Sequence, residues 1–166
     1  VVLTFRGLQA RFSLNMAHIG LSHIKKTLCT LPTHFGHGLI GNCLTPLFSG
    51  GEVIFSPNPD IDTLSNFGSI IDEHKISFLS SVPTFWNIVT RVSAEPKTGS
   101  LKRVHIGSAP LSAELWNQVI EWAGTRNVLN MYGLTETANW VAGASATDFP
   151  PTDGLVGKLW GGECRV

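Results

Sequence analysis

Short runs of β-branched and aromatic residues alternate with stretches of helical period along most of this 166-residue chain, and that alternation restricts its fold more than any other feature. The β-prone runs are Thr27 to Leu31, Glu52 to Phe55, Ile76 to Leu79, Arg103 to Ile106 and Asn127 to Tyr132. An opening helix is expected from Thr4, its N-cap, to Gly20, its stop, with Phe5, Leu8, Phe12, Met16 and Ile19 along one face. Leu39, Ile40, Cys43, Leu44, Leu47 and Phe48 mark a second helix ahead of Gly50 and Gly51. Pro57 to Asp60 reads as a loop whose last residue caps a helix bearing Leu64, Phe67, Ile70 and Ile71. Thr84 caps a helix with Phe85, Ile88, Val89 and Val92, and Ser112 caps one with Leu115, Val119 and Trp122. Five strands joined by helices predict an α/β fold, a mainly parallel sheet with helices on both faces. After Trp140 the pattern weakens, and Gly143 to Gly157 reads as irregular.

Whole functional classes fall away on charge. Twelve basic and twelve acidic residues cancel, which removes the electrostatic footprint of a nucleic-acid binder and any general attraction to anionic lipid. No apolar run reaches the roughly 18 residues of a spanning helix, and no signal peptide is recognisable. Cys29, Cys43 and Cys164 are far apart and odd in number, so free thiols in a reducing, cytoplasmic setting are expected. The chain opens on Val1 without a methionine and reads as a piece of a longer protein.

The last β-prone run leads into Asn130-Met131-Tyr132-Gly133-Leu134-Thr135-Glu136-Thr137, which is not ordinary core sequence. An apolar strand breaks at Gly133 and delivers an aromatic ring, a hydroxyl and a carboxylate to one strand end, where ligands bind in α/β sheets. Thr135 offers a donor to a phosphate oxygen, Glu136 is a hard oxygen ligand suited to Mg²⁺, and Tyr132 has a ring able to stack on a base.

Tyr-Gly-Leu-Thr-Glu resembles the signature of the adenylate-forming (AMP-binding) superfamily of acyl-CoA synthetases, peptide-synthetase adenylation domains and luciferases. Other segments extend the resemblance end to end. Ile106-Gly107-Ser108-Ala109-Pro110-Leu111-Ser112 looks like the family's Gly-Gly-Ala-Pro-Leu-Ser, with Ser108 in place of the second glycine. Val82-Pro83-Thr84 resembles the family's Val-Pro-Thr, and Val156-Gly157-Lys158 its Gly-x-Val-Gly-Lys-Pro turn, with Leu159 where proline is common. Val2-Leu3-Thr4 and Gly7-Leu8 are similar to the helix that follows the family's phosphate loop. Pro32 to Gly38 is similar to Pro-x-x-His-x-x-Gly but departs from it: Phe35 holds the histidine's place, with His34 one position early and His37 two late.

The resemblance implies the central part of an adenylation domain, residues 1–166, of an ATP-dependent carboxylic acid–CoA ligase. Such an enzyme forms an acyl-adenylate and then a thioester, using ATP, Mg²⁺ and coenzyme A or a carrier-protein thiol. By that resemblance Glu136 holds Mg²⁺, Thr135 holds the α-phosphate and Tyr132 stacks on adenine, with Gly107, Ser108, Ala109, Pro110, Met131 and Gly133 around the nucleotide. His34, Phe35, Gly36, Leu39, Ser108, Met131, Asn139 and Trp140 are the implied acyl-pocket residues. The family's phosphate-binding loop, its ribose-binding Thr-Gly-Asp and its C-terminal lysine domain have no counterpart in these residues, so the piece alone is expected to be inactive.

Two alternatives stay open. Peptide-synthetase adenylation domains mostly carry proline at the place of Leu134 and an aspartate at that of Phe35, so both residues count against that reading. A non-catalytic α/β binding domain would require all the motif matches to be accidental. His18, His23, His74 and His105 read as structural or surface histidines, and Trp86, Trp116 and Trp122 as core or interface aromatics. His34 and His37, three apart, have no third metal ligand nearby.

Overall fold

The computed structural model describes residues 1–56 and 60–165. The first helix, α1 (Phe5–Ile19), begins and ends where its caps dictate: the Thr4 hydroxyl accepts from the Gly7 N–H, and the Gly20 N–H bonds back to Met16. Strand β1 (Lys26–Cys29) follows, then a π-helix (His37–Leu44) that runs directly into α2 (Thr45–Phe48). Beyond β2 (Glu52–Phe55), the helix expected from Asp60 forms as two pieces, α3 (Ile61–Ser65) and α4 (Phe67–His74). Asn66 breaks them because its backbone leaves the helical region and its amide bonds to the Asp62 carbonyl instead. Asp60 is the expected cap, while Pro57 to Pro59 of the expected loop lie outside the described residues.

Next come β3 (Phe78–Ser81), α5 (Pro83–Val92), β4 (Arg103–Gly107), α6 (Ala113–Ala123) and β5 (Val128–Leu134). Ser112 caps α6 as expected. Thr84 does not cap α5: Val82 is the N-cap and Pro83 the first helical residue, where a ring with fixed φ and no N–H fits best. Among the described residues the sheet has seven strands, where five were expected, in the order β2-β1-β3-β4-β5-β6-β7. The first five strands are parallel. Two further strands, β6 (Asn139–Ser145) and β7 (Lys158–Leu159), add antiparallel; the end of β6 runs into the segment expected to be irregular, Gly143 to Gly157, and β7 follows that segment.

Alternation along the strands divides the interior into two layers. Leu28, Leu79, Val104, Ile106 and Val128 face α4, α5 and α6, which bring Phe67, Ile71, Trp86, Trp116 and Trp122. Phe78, Leu129 and Met131 face the other way, toward Ile19 of α1, Trp140 and Trp160. The sheet is thus covered on both faces, and its parallel strands end together at one edge.

Candidate active site

A cavity of about 450 Å³ opens at that edge. Leu31 and Pro32 follow β1, Val82 follows β3, Ser108 follows β4, and Met131, Gly133, Leu134 and Thr135 come from the end of β5 and the turn beyond it. Phe35, Gly36, His37 and Ile40 close one side from the π-helix and its approach, and Asn139 and Trp140 close the other from β6. A second cavity of about 330 Å³ adjoins it, lined by Ser108, Ala109, Pro110, Leu111, Asn130, Met131, Tyr132, Gly133, Gly154 and Val156. Ser108, Met131 and Gly133 line both, so they form the wall where the cavities meet.

The backbone at this edge is held in unusual conformations. Among the described residues, non-glycine positive φ occurs at Ser108 (68°), Ala138 (56°) and Asn139 (116°) beside the cavities, and at Lys75 (51°) at the C-terminus of α4. Such conformations persist only where the surroundings over-determine them, and they gather at functional sites. Gly133 has no room for a side chain, since a Cβ there would sit 2.4 Å from the Asn139 carbonyl oxygen. Here the β5–β6 hairpin crosses itself tightly, at the bulge between Tyr132 and Gly133. Arg11 of α1 clamps the far side of the turn, donating from Nη1 to the Trp140 carbonyl at 2.6 Å and from Nε to that of Thr137 at 3.1 Å.

His37 stands between two hydroxyls, its Nδ1 2.8 Å from Ser108 Oγ and its Nε2 2.6 Å from Ser80 Oγ. Burial pushes its pKa down to about 4, so the ring is neutral at physiological pH. Its ring meets that of Trp140 edge to face at 5.5 Å. Behind it His105 is fully buried, accepts from Arg103 Nε at 2.9 Å, and is held well below the usual histidine range by burial and then by the Arg103 charge. His105 is therefore structural, as expected, and interior. Asn139, 7% exposed, leaves Nδ2 without a partner among the described residues.

Of the residues singled out from sequence, Phe35, Gly36, Ser108, Met131, Asn139, Trp140, Gly133 and Thr135 converge on the larger cavity. Ser108, Ala109, Pro110, Met131, Tyr132 and Gly133 converge on the smaller one. His34 and Leu39 fall outside both linings, His34 lying against the Phe35 ring at 4.3 Å. Gly107 sits behind the wall, where a Cβ would meet the Met131 carbonyl oxygen at 2.9 Å. Glu136 is exposed just past the cavity. Among the described residues the single ion pair is Lys26 with Glu52 at 3.4 Å, so the Glu136 carboxylate forms none among them. No cluster of three metal-ligating side chains occurs among the described residues. Sequence reasoning did not assign His37, Ile40 or Val82 to the site; the signal for His37 and Val82 lay in motifs already noted, whereas Ile40 depends on the π-helical turn.

An acyl-CoA ligase, AFT1-1, of Alternaria alternata is 30% identical over 138 residues, which is 80% of this chain and 22% of that protein. A dimodular nonribosomal peptide synthase of Bacillus subtilis is 28% identical over 99 residues, 60% of this chain and 4% of the other. Among solved structures, O-succinylbenzoate coenzyme A synthetase (MenE) of Bacillus subtilis with ATP and magnesium superposes with a TM-score of 0.79 at 20% identity, covering 94% of this chain and 31% of that one. ATP-bound MatB of Rhodopseudomonas palustris gives a TM-score of 0.77 at 26% identity, over 95% and 30%. The chain thus spans roughly a quarter of the length of the ligases it matches. A family model described as AMP-binding enzyme matches residues 1–166, and the chain belongs to that family.

Proposed function

We propose that the chain is the central part of the adenylation domain of a carboxylic acid–CoA ligase, and that its two cavities hold the acid and the adenine nucleotide. The observation that carries this is their meeting at Ser108, Met131 and Gly133, at the carboxyl ends of β4 and β5. A reaction between two substrates needs two pockets with one shared wall, at which the reacting atoms come within contact distance.

In the first half-reaction a carboxylate oxygen of the acid attacks the α-phosphorus of ATP, the bond to the β-phosphate breaks, and pyrophosphate leaves with the electron pair. No proton moves. Catalysis is then positioning and electrostatic stabilisation of charge spread over phosphoryl oxygens. Tyr132, 45% exposed, offers a face for the adenine, with the Ser108 to Pro110 backbone on the other side of the smaller cavity. Thr135 lines the larger cavity and would donate to the α-phosphate. Glu136, exposed and in no ion pair among the described residues, would suit Mg²⁺, which takes one or two carboxylates and completes its shell with water and substrate phosphates. When bound, the ion neutralises charge on the phosphates. A thiol, coenzyme A in our reading, takes the acyl group in the second half-reaction. The family's phosphate loop, ribose-binding aspartate and catalytic lysine have no match among residues 1–166, and these residues alone should release no pyrophosphate from ATP. The free Cys29, Cys43 and Cys164 accord with a cytoplasmic setting, and no helix among the described residues is long and apolar enough to cross a membrane.

The acid cavity is walled by Leu31, Phe35, Ile40, Val82, Met131, Leu134 and Trp140, and its lining contains no carboxylate. An ammonium buried there without a partner would cost several kcal/mol. α-Amino acids should therefore be poor substrates, which separates this reading from a peptide-synthetase module. Aryl or medium-chain acids can bury their bodies, each methylene contributing about 0.8 kcal/mol, and the Phe35 and Trp140 rings tip the balance toward aryl. A panel of aryl, alkyl and amino acids given to the full-length protein with ATP and CoA tests this. Thioesters of aryl acids are expected; an amino acid turning over about tenfold better than any acid lacking an amine would overturn the reading.

A further inference from the structure

We propose that Ser108, held in place by His37, hydrogen-bonds the carboxylate of the acid where the two cavities meet. The inference rests on the adenylation reading above and names a contact that the reading leaves open. Four observations carry it. Ser108 belongs to both linings and so stands where the two cavities meet. It occupies a left-handed conformation, φ 68°, that a glycine would adopt without penalty, and so the side chain is retained at a cost in backbone strain. Its hydroxyl is fixed by His37 Nδ1 at 2.8 Å. That ring is in turn anchored by Ser80 at 2.6 Å and presented by the first residue of a π-helix, a rare element that recurs at functional sites.

The chemistry follows from the donor count. A neutral imidazole has one N–H and one lone pair. If the Ser80 O–H donates to Nε2, then Nδ1–H donates to Ser108 Oγ and the Ser108 O–H is left free for the cavity. A carboxylate arriving at the junction selects that tautomer, because only then does a donor face it. The bonded oxygen is the non-attacking one, so the other oxygen keeps its lone pair toward the α-phosphorus. His37 removes no proton, since the step releases none; it is a positioning residue, and Ser108 is the one that touches substrate.

The test uses acid-dependent exchange of labelled pyrophosphate into ATP by the full-length protein. Ser108→Ala and Ser108→Gly should each lower kcat/KM for the acid by roughly ten- to a hundredfold, the loss of one hydrogen bond to a charged group. Ser108→Gly should at the same time raise Tm, because it releases the strain. His37→Phe should cost as much as Ser108→Ala, and the double variant no more than either alone. Binding of the acid should also shift the ¹⁵N resonances of His37 toward the Nδ1–H form, a signature that a purely structural histidine would not give. Wild-type exchange by Ser108→Gly, additive losses in the double variant, or an unmoved His37 tautomer would each overturn the proposal. Absence of exchange in the wild type with any acid would overturn the adenylation reading instead, and this contact with it.

Discussion

On the α5–α6 side of the sheet, Trp86 and Trp116 are fully buried, and the indole N–H of Trp116 reaches the Val128 carbonyl at 3.0 Å. On the opposite side Trp140 packs edge-on against His37, His105 and Trp160, beside the open cavity. The buried polar groups divide in the same way. Asn15, Thr27, Asn42, His105 and Asn139 each leave an atom without a partner on the second side, while Trp86 Nε1 is the counterpart on the first, among the described residues. Orphaned polar atoms and strained backbone reduce stability, and a layer selected only for packing would shed them. One layer therefore holds the domain together, and the other accepts local instability to present groups to ligands.

That contrast can be broken experimentally, beginning with stability. Trp116→Ala should cost about 3–5 kcal/mol, read from the urea midpoint, as a large indole is removed from a closed core. Trp140→Ala enlarges a cavity that is already open and should cost less by at least about 1 kcal/mol; equal losses would erase the distinction between the layers. Glu136→Gln should reverse the pattern. The full-length protein is expected to lose about 3 kcal/mol of transition-state stabilisation, two or more orders of magnitude in adenylation rate, with stability within about 0.5 kcal/mol of wild type. Arg11→Leu removes both donors to the turn carbonyls. Its expected cost is roughly 1.5–3 kcal/mol in stability, accompanied by a raised KM for the acid as the turn holding Thr135 and Asn139 loosens.

The smallest effect is a pH dependence. His37 titrates near 4 when folded and near 6.5 when unfolded, so the unfolded chain binds the extra proton between those values. Stability from this group is complete above about pH 6.5, falls as pH drops toward 4, and levels below that. His105 is shifted in the same direction by its burial and by Arg103. Replacing His37 with Gln should flatten its share, roughly 1–2 kcal/mol once solvent at the exposed ring edge is discounted. Unchanged steepness in the variant would show that His37 is not held neutral.

The parallel strands and helices α1, α5 and α6 were legible because their period is a local property of the sequence, as are the caps of α1 and α6, whereas α5 starts at Pro83 and not from the expected Thr84 cap. Elements made by tertiary contact were not. Beyond Trp140, Val141-Ala142-Gly143-Ala144-Ser145 has little β propensity, and it becomes β6 only because β5 is there to pair with it. The π-helix explains why Leu39 lies outside both linings: a 3.6-residue period turns that side chain inward, but the wider turn leaves Leu39 at 41% exposure and buries Ile40 to 5%. It also carries His37 into the cavity from a place that the family pattern assigns to no histidine. Tyr132 and Thr135 were readable as a strand end facing a crevice, whereas Asn139 and Ser108 owe their placement to left-handed backbone that no propensity announces.

Acid-dependent exchange of labelled pyrophosphate into ATP by the full-length protein, run beside its Glu136→Gln variant, tests the adenylation reading most directly. The account requires exchange that appears only when an aryl or medium-chain carboxylic acid is present, and that falls about a hundredfold or more in the variant. Exchange independent of any acid, or equal in both proteins, would contradict it.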